Sequence, residues 1–221
     1  TMKSFFAPAF LLIILSTVTF YSCERIGESG NDRVAKGDVR VGGSLSVALH
    51  KNVDSFLPSM ISDAVSSEIG THLHCGLLKL NPQTLEVIPG LAERWSVDNK
   101  GTSYVFDLRR GAKFHDDECF SGTGREITAH DFKYSFEILC GAENNDAFST
   151  TFKNRVTGAN AFHEGEAEHV VGVQVIDDYT IRIELDKPDE SFLFVLAQPS
   201  TAVISKKALA KYGSEYKVGA G

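Results

Sequence analysis

The chain has 221 residues, enough for one large domain or two small ones, and 43% of them are hydrophobic. Its 29 acidic and 22 basic residues give a net charge of −7, which excludes the basic surface that nucleic-acid binding requires. The charged fraction of 23% is close to that of an average globular domain.

Residues 1–22 are predicted to be an export signal. A short positive start, Met2-Lys3, precedes an apolar run over residues 5–21, which is the pattern of a secretory signal. The run ends at Ser22-Cys23, and a small residue before a cysteine at this position resembles a lipobox, in which the cysteine carries the lipid. Two or three acyl chains on Cys23 would anchor the chain stably. The alternative is an uncleaved membrane anchor with an incidental cysteine.

The folded part is predicted to begin near residue 42. Residues 23–41 are polar and rich in glycine, which predicts a flexible tether. Alternating leucine and valine side chains predict a strand over residues 44–50. Apolar residues at four-residue intervals then predict a helix that begins at Ser62 and stops at Gly76.

The middle of the chain predicts a strand and a helix separated by a long polar loop. Residues 103–109 alternate between aromatic or aliphatic and polar side chains, which predicts the strand. Residues 116–127 form the loop. Thr128 and Asp131 have capping-box spacing and therefore predict the start of the helix.

The last third of the chain predicts a hairpin and a terminal helix. Alternating valines and isoleucines over residues 171–185 indicate two strands that turn at Asp177-Asp178. Residues 205–212 indicate a helix that Ser205 caps and Gly213 ends. Helices combined with antiparallel hairpins predict a mixed α/β (α+β) fold instead of a simple parallel sheet.

Three cysteines follow the predicted signal: Cys75, Cys119 and Cys140. Export places them in an oxidising compartment, where disulfides persist, but an odd number leaves at least one unpaired in a monomer. Cys119 precedes and Cys140 follows the helix predicted from Thr128. We therefore expect a Cys119–Cys140 disulfide that pins the long loop, with three free thiols as the alternative.

Catalytic and metal-binding motifs give no positive signal. The sequence contains no nucleophile elbow, phosphate-binding loop or zinc-protease helix, so we expect neither an enzyme nor a cofactor. His72 and Cys75 are three residues apart and are predicted to share a helix face, with His74 pointing elsewhere. Two ligands do not make a metal site, so we predict no metal.

Three segments and their order resemble a known family. They are LAERW at 91–95, YVFDLRRGAKFHD at 104–116 and ITAHDFKYSF at 127–136. This pattern resembles the signature of the bacterial extracellular solute-binding proteins of the dipeptide, oligopeptide and nickel group, known as family 5. VGAG at 218–221 is similar to a family element with threonine in place of alanine. The chain departs from the family in its longer loop at 116–125 and in HCGL at 74–77.

The resemblance implies a periplasmic-binding-protein-like fold of two lobes. Residues 42–80 and 190–221 would form part of the first lobe, and residues 81–189 the smaller lobe inserted in it. Members of the family are considerably longer than this chain, so we expect it to be a fragment or a truncated product.

The resemblance also implies a function. Such a protein captures dipeptides or oligopeptides outside the cytoplasmic membrane and delivers them to the permease subunits of an ABC importer. In oligopeptide-binding members, the stretch before the helix that ends in Gly-Leu lines the cleft. That stretch is matched here by Ser62, Asp63, Ala64 and Val65, for which an ordinary loop-to-helix junction is the alternative explanation.

Three other functions stay open at this point. The chain could be a truncated lipoprotein that no longer binds or an interaction module on the envelope. It could also bind a metal chelate or haem, for which His72 and His74 are the only hint. An enzyme is the third alternative.

Overall fold

The structure, a computed structural model, describes residues 33–34, 40–41, 46, 48–216 and 218–219. The chain divides into two units, Thr1–Ala48 and Leu49–Gly221. In the first unit, β1 (Arg33–Val34) and β2 (Arg40–Val41) pair antiparallel within the segment predicted to be a tether. The predicted signal peptide and Cys23 lie outside the described residues.

Only some residues of the strand predicted over residues 44–50 belong to the described part of the chain. Its described residues, Ser46 and residues 48–50, belong to no strand, so the prediction is wrong there.

The second unit contains a small hairpin that the sequence pattern did not indicate. Strands β3 (Leu78–Leu80) and β4 (Val87–Pro89) pair antiparallel. The side chain of Asn81 stabilises the connecting turn because its Oδ1 accepts hydrogen bonds from the backbone N–H groups of Gln83 and Thr84. A side-chain acceptor of this kind replaces a backbone partner in many turns.

A four-stranded antiparallel sheet forms the centre of this unit. Its strands are β5 (Ala92–Val97), β6 (Ser103–Leu108), β7 (Val173–Asp177) and β8 (Thr180–Glu184), in the spatial order β5-β6-β8-β7. Alternate residues of β6 and β8 are buried, and Phe106 pairs with Ile181. The strand predicted at 103–109 and the hairpin predicted at 171–185 are confirmed.

The described part of the chain contains six α-helices. They are α1 (Ala64–Leu73), α2 (Ala129–Leu139), α3 (Asn145–Thr150), α4 (Ala159–His163), α5 (Phe192–Val195) and α6 (Lys206–Tyr212). None of the helices that the structure describes is long and apolar enough to cross a membrane. The predictions of α1, α2 and α6 are confirmed, although α1 ends at Leu73, before Gly76.

The predicted helix caps are present. The backbone N–H of Thr128 donates a 2.9 Å hydrogen bond to Oδ2 of Asp131, as a capping box requires. Ser205 caps α6 because its Oγ accepts a hydrogen bond from the N–H of Ala208. These bonds satisfy backbone donors that the first helical turn leaves unpaired.

A row of aromatic rings joins the sheet to three helical segments. The ring centroids of Tyr104 and Phe192 are 5.2 Å apart, and those of Phe192 and Phe152 are 6.2 Å apart. Phe152 in turn lies 5.0 Å from Phe136, which lies 5.9 Å from Phe132. Phe192, Phe152, Phe136 and Phe132 are fully buried, so β6, α2, α5 and the segment after α3 share one core.

The predicted disulfide between Cys119 and Cys140 is wrong, because both are free thiols in the structure, as is Cys75. Cys140 is buried at the C-terminal end of α2, an 11-residue helix about 16 Å long. Cys119 lies in the loop before the other end of that helix. The bond would therefore require the loop to run back along the whole helix.

The loop is held elsewhere by polar contacts with α6. Oδ1 of Asp117 accepts a 2.7 Å hydrogen bond from the hydroxyl of Tyr212, and Glu118 forms a 3.0 Å ion pair with Lys211. At its other end, Arg125 pairs with Asp131 at the start of α2. These contacts keep Cys119 near α6 and the N-terminal end of α2.

Candidate ligand-binding groove

Two cavities lie beside α1 and share part of their lining. The larger has a volume of 540 Å³ and reaches past the C-terminal end of α1, and the smaller, of 400 Å³, lies at the N-terminal end. Ser67, Gln198 and Pro199 line both cavities. The cavities are therefore neighbours, and we call the two together the α1 groove. Its size is within the range of small-molecule sites.

Helix α1 forms one wall of the groove, and residues 197–200 form the facing wall. Gly70 allows the two to approach, because a Cβ on it would lie 2.8 Å from Cδ1 of Ile61 and 3.0 Å from Cβ of Pro199. Leu196, directly before the second wall, is fully buried. The walls are thus fixed by packing of residues that are distant in sequence.

The structure places most of the predicted ligand-contacting residues on this groove. Ser62, Asp63 and Ala64 line the smaller cavity. Val65 is only 3% exposed and belongs to the core, so it does not line the cavity. Contact of the first three with a ligand stays a prediction.

The sequence did not reveal three other residues that line the smaller cavity. Thr150, Gln198 and Ser200 reach it from α3 and from the segment after α5. No motif marks them, because they approach α1 only through the fold. The proline at 199, which forms a tight turn after Gln198, is the single local signal in that segment.

Asp63 holds the one negative charge on the wall of the smaller cavity. Its Oδ1 accepts hydrogen bonds from the N–H groups of Val65 at 3.0 Å and Ser66 at 3.1 Å, so it caps α1. Hydrogen bonds from Ser66, followed by the charge of Lys51, lower the pKa of Asp63 to about 2. Lys51 lies 3.2 Å from Asp63 and 2.8 Å from Asp54, which leaves the three groups with a net negative charge.

His74 is buried behind the larger cavity and fixes the chain before α1. Its Nε2 donates a 2.7 Å hydrogen bond to the carbonyl of Phe56, because a carbonyl oxygen can only accept. Nδ1 is buried without a partner in the described part of the chain. Burial lowers the pKa of His74, which favours the neutral ring.

His115, in the segment that follows β6, also lines the larger cavity. Its backbone N–H donates a 3.1 Å hydrogen bond to the carbonyl of Gly219. A Cβ on Gly219 would lie 2.4 Å from the carbonyl oxygen of Leu73 and 2.8 Å from the His115 ring. Only glycine therefore lets residues 218–219 pass between these two elements.

His72 and Cys75 do not share a helix face, contrary to the prediction, and His74 is engaged elsewhere. Cys75 lies beyond the end of α1, so it does not share a helix face with His72. Nε2 of His74 is already bonded to a backbone carbonyl. Across the described ranges, no three histidine, cysteine or acidic side chains are close enough to hold a metal ion.

Comparison with known proteins gives a consistent set of similarities. A sequence model described as "Bacterial extracellular solute-binding proteins, family 5 Middle" matches residues 86–221. The dipeptide-binding protein of Escherichia coli (strain K12) is 32% identical over 171 residues, which are 75% of this chain and 31% of that protein. The di/tripeptide-binding protein 4 of Pseudomonas aeruginosa (strain UCBPP-PA14) is 36% identical over 140 residues, or 63% and 24% of the two chains.

The fold is similar to solved structures as well. The structure of Burkholderia pseudomallei OppA is similar with a TM-score of 0.67 and 27% identity, over 76% of this chain and 33% of that one. An oligopeptide ABC transporter substrate-binding domain from Bacillus anthracis gives a TM-score of 0.68 at 25% identity, over 77% and 32%. This chain thus spans a third or less of the length of these relatives.

The depressed pKa of Asp63 predicts a pH-dependent contribution to stability. Asp63→Asn keeps a capping oxygen but removes the charge. Because the folded-state pKa of about 2 is below the usual 3.8, the ionised carboxylate stabilises the fold fully above about pH 4, and this contribution disappears as the pH falls through 2. Urea unfolding of wild type and variant from pH 6 to pH 2 measures it.

The stability difference between the two proteins should shrink toward low pH. Asp63→Ser, which also keeps an uncharged capping oxygen, is the matched control and should follow the asparagine variant. A difference that stays constant between pH 6 and pH 2 would contradict the electrostatic explanation.

Proposed function

The chain belongs to the bacterial extracellular solute-binding proteins of family 5, and from that membership we propose that its α1 groove binds peptides outside the cytoplasmic membrane for delivery to an ABC importer. The observation that carries the proposal is the position of Ser62, Asp63 and Ala64 on the groove wall. Relatives named for dipeptide and di/tripeptide binding support the choice of ligand.

The polar groups of the groove suit a peptide backbone. The side chains of Ser62, Ser67 and Gln198 have no hydrogen-bond partner among the described residues, and all three line the groove. A peptide presents a donor and an acceptor at almost every residue. Hydroxyl and amide side chains can satisfy both kinds of group.

We assign this chain to part of a binding protein that closes on its ligand. In the proposed division, residues 42–80 and 190–221 contribute to the first lobe, and residues 81–189 form a lobe inserted in it. The relatives are about three times as long as the matched region. In such a protein a second lobe would supply the opposite face of the cleft, and ligand would shift the population toward the closed state.

The proposal includes a lipid anchor at Cys23, which would place the protein at the membrane on the periplasmic side of the cell envelope. The support is the apolar run that ends at Ser22-Cys23. Its binding partners would then be a peptide, the permease subunits and the membrane that holds the lipid.

A bulky side chain at a residue that lines both cavities tests the site. Ser67→Phe places a ring at the residue of α1 that lines both cavities, so we expect the complete protein to bind peptides at least about tenfold more weakly, or about 1.4 kcal/mol. Isothermal calorimetry with a mixture of short peptides, followed by single members, measures the affinity.

Glu68→Phe is the matched control, since it adds the same ring one residue later on α1, at an exposed position outside the groove lining. It should leave the affinity within about twofold of wild type. Equal losses in both variants, or no loss in Ser67→Phe, would place the peptide site elsewhere.

The anchor has a separate test. Metabolic labelling with radioactive palmitate should label the wild-type protein and leave Cys23→Ala unlabelled, because the cysteine sulfur is the expected attachment point. Cys119→Ala serves as control and should be labelled like wild type. Equal labelling of Cys23→Ala and wild type would disprove the lipobox interpretation.

A further inference from the structure

The ring of His74 joins the C-terminal end of α1 to the chain that precedes the helix. His74 follows Leu73 directly, and its backbone N–H donates a 2.9 Å hydrogen bond to the carbonyl of Gly70. Its Nε2 donates a 2.7 Å hydrogen bond to the carbonyl of Phe56, 18 residues earlier. Only 9% of the residue is exposed. One buried side chain therefore holds residues 56–61, which we call the lead-in segment, against the end of α1.

The lead-in segment continues into the wall of the α1 groove. Leu57 and Ser59 are buried, and Ile61 lines the smaller cavity. The N–H of Ile61 donates a 2.9 Å hydrogen bond to the carbonyl of Pro58, which closes a tight turn. Residues 62–64 of the groove wall follow directly, so a displacement of the lead-in segment would displace them as well.

This arrangement requires an uncharged ring. The bond to Phe56 places the proton of neutral His74 on Nε2, which leaves a lone pair on Nδ1. Nδ1 is buried and has no hydrogen-bond partner among the described residues. A second proton on the ring would therefore create a buried N–H donor without an acceptor, together with a buried charge. Both are costly in a protein interior.

The titratable groups around this ring cannot neutralise a positive charge on it. Tyr216, whose ring centroid lies 6.3 Å away, and Cys75 stay uncharged, because burial raises the pKa of Tyr216 to about 12 and raises that of Cys75 as well. His115 acts on the ring as a like charge. His72 and Lys79 line the same cavity and are basic too.

No negative charge offsets these groups in the described part of the chain. No described aspartate or glutamate lines the larger cavity, and none is among the groups that shift the pKa of this ring. The lead-in segment itself contains no titratable residue. A second proton on His74 would therefore meet only neutral or positive neighbours.

The preference for the neutral ring sets the direction of the pH dependence. Burial is the main cause that lowers the pKa of His74, the hydrogen bond to Phe56 opposes it, and the charge of His115 adds to the lowering. A ring released into water has the ordinary pKa of 6.5, so the opened form binds protons that the closed form excludes. The stability that the neutral ring gives to the closed form is therefore complete above pH 6.5. It is lost progressively as the pH falls from there toward the lowered pKa.

The larger cavity gives the ring a route to water. His74 lines this cavity, whose volume is 540 Å³ and whose lining includes the exposed His72. A charged ring that turned into this space would be hydrated, but its Nε2 would leave the carbonyl of Phe56. The lead-in segment would then lose its bond to the end of α1.

We propose that His74 is an acid-sensitive latch on the α1 groove: uptake of a proton by its ring releases the carbonyl of Phe56 and loosens the lead-in segment. The latch is a property of the fold, whereas its effect on peptide affinity rests on the proposed function. Histidine is the side chain whose ordinary pKa makes it change charge between pH 5 and 8. Asp63, with a pKa of about 2, stays ionised throughout that range.

Backbone hydrogen exchange of the complete protein without peptide, at pH 7.5 and pH 5.5, tests the latch. Each rate is divided by the chemical exchange rate at the same pH, which gives a protection factor. Protection of the lead-in segment should fall by about threefold to tenfold at pH 5.5, because each pH unit below 6.5 increases opening by at most about tenfold. Strand β6 at the centre of the sheet is the internal reference and should keep its protection.

Three variants identify the responsible ring. His74→Gln keeps an N–H donor for Phe56 but cannot titrate, so its protection should differ by less than about twofold between the two pH values. His115→Gln removes the neighbouring like charge and should therefore show a smaller loss than wild type. His169→Gln is the matched control, because it removes an exposed histidine outside the groove lining and should respond like wild type.

Calorimetry with tetra-alanine at the same two pH values measures the consequence for binding. Wild type should bind at least about threefold more weakly at pH 5.5 than His74→Gln does at that pH, relative to their affinities at pH 7.5. Because both proteins receive the same peptide, titration of its amino group cancels in this comparison.

The outcomes separate the latch from the proposed function. Unchanged protection of the lead-in segment in wild type, or an equal loss in His74→Gln, would overturn the latch and leave peptide binding untouched. If tetra-alanine and other short peptides bind at neither pH, the proposed function fails, and the exchange data alone decide on the latch. An equal loss of protection in β6 would also contradict it, since acid would then weaken the whole unit.

Discussion

Burial of a connected set of aromatic rings determines where the walls of the α1 groove stand. Phe192 contacts both Tyr104 of the sheet and Phe152 after α3, and it lies five residues before the groove wall at residue 197. Truncating a fully buried phenylalanine to alanine costs about 3–5 kcal/mol, whereas an exposed ion pair such as Lys211–Glu118 contributes little because solvent screens its charges. The rings, more than the surface charges, hold the second wall in place.

Buried hydrogen bonds made by a serine on α2 add to this packing. Oγ of Ser135 on α2 accepts a 2.7 Å bond from the N–H of Ile204 and donates a 2.6 Å bond to the carbonyl of Asp131. Both ends of this link are buried, so breaking it would leave an unsatisfied polar group in the core. Helix α2 also contacts the turns Pro58–Met60 and Pro199–Thr201, which flank the groove. One helix therefore contacts both the second wall and the turn that precedes α1.

The sequence predicted those elements whose pattern lies within the element itself. The alternation around Phe106, the capping pair Thr128 and Asp131, and the valine-rich hairpin each depend on residues within one element, and all are present in the structure. The short helices α3 and α4 escaped this reasoning, because helices of five or six residues contain too few turns for a clear period. The hairpin of β3 and β4 has only three residues in each strand, too few for a clear alternation.

Long-range contacts explain the remaining differences. The disulfide was predicted from the positions of Cys119 and Cys140 along the chain, but contacts of Asp117 with Tyr212, 95 residues away, decide where the loop lies. The groove likewise combines Ser62 with Gln198, which no spacing in the sequence connects. Family resemblance located the wall at residues 62–64, and only packing reveals the opposite wall.

Backbone hydrogen exchange of the complete protein, with and without a bound tetrapeptide, tests most directly that the α1 groove is the peptide site. The account predicts that the peptide slows exchange of amides at residues 62–67, 72–79 and 197–200, with little change in the hairpin of β7 and β8, which serves as an internal reference. Protection confined to that hairpin, or peptide binding without protection on either groove wall, would contradict it.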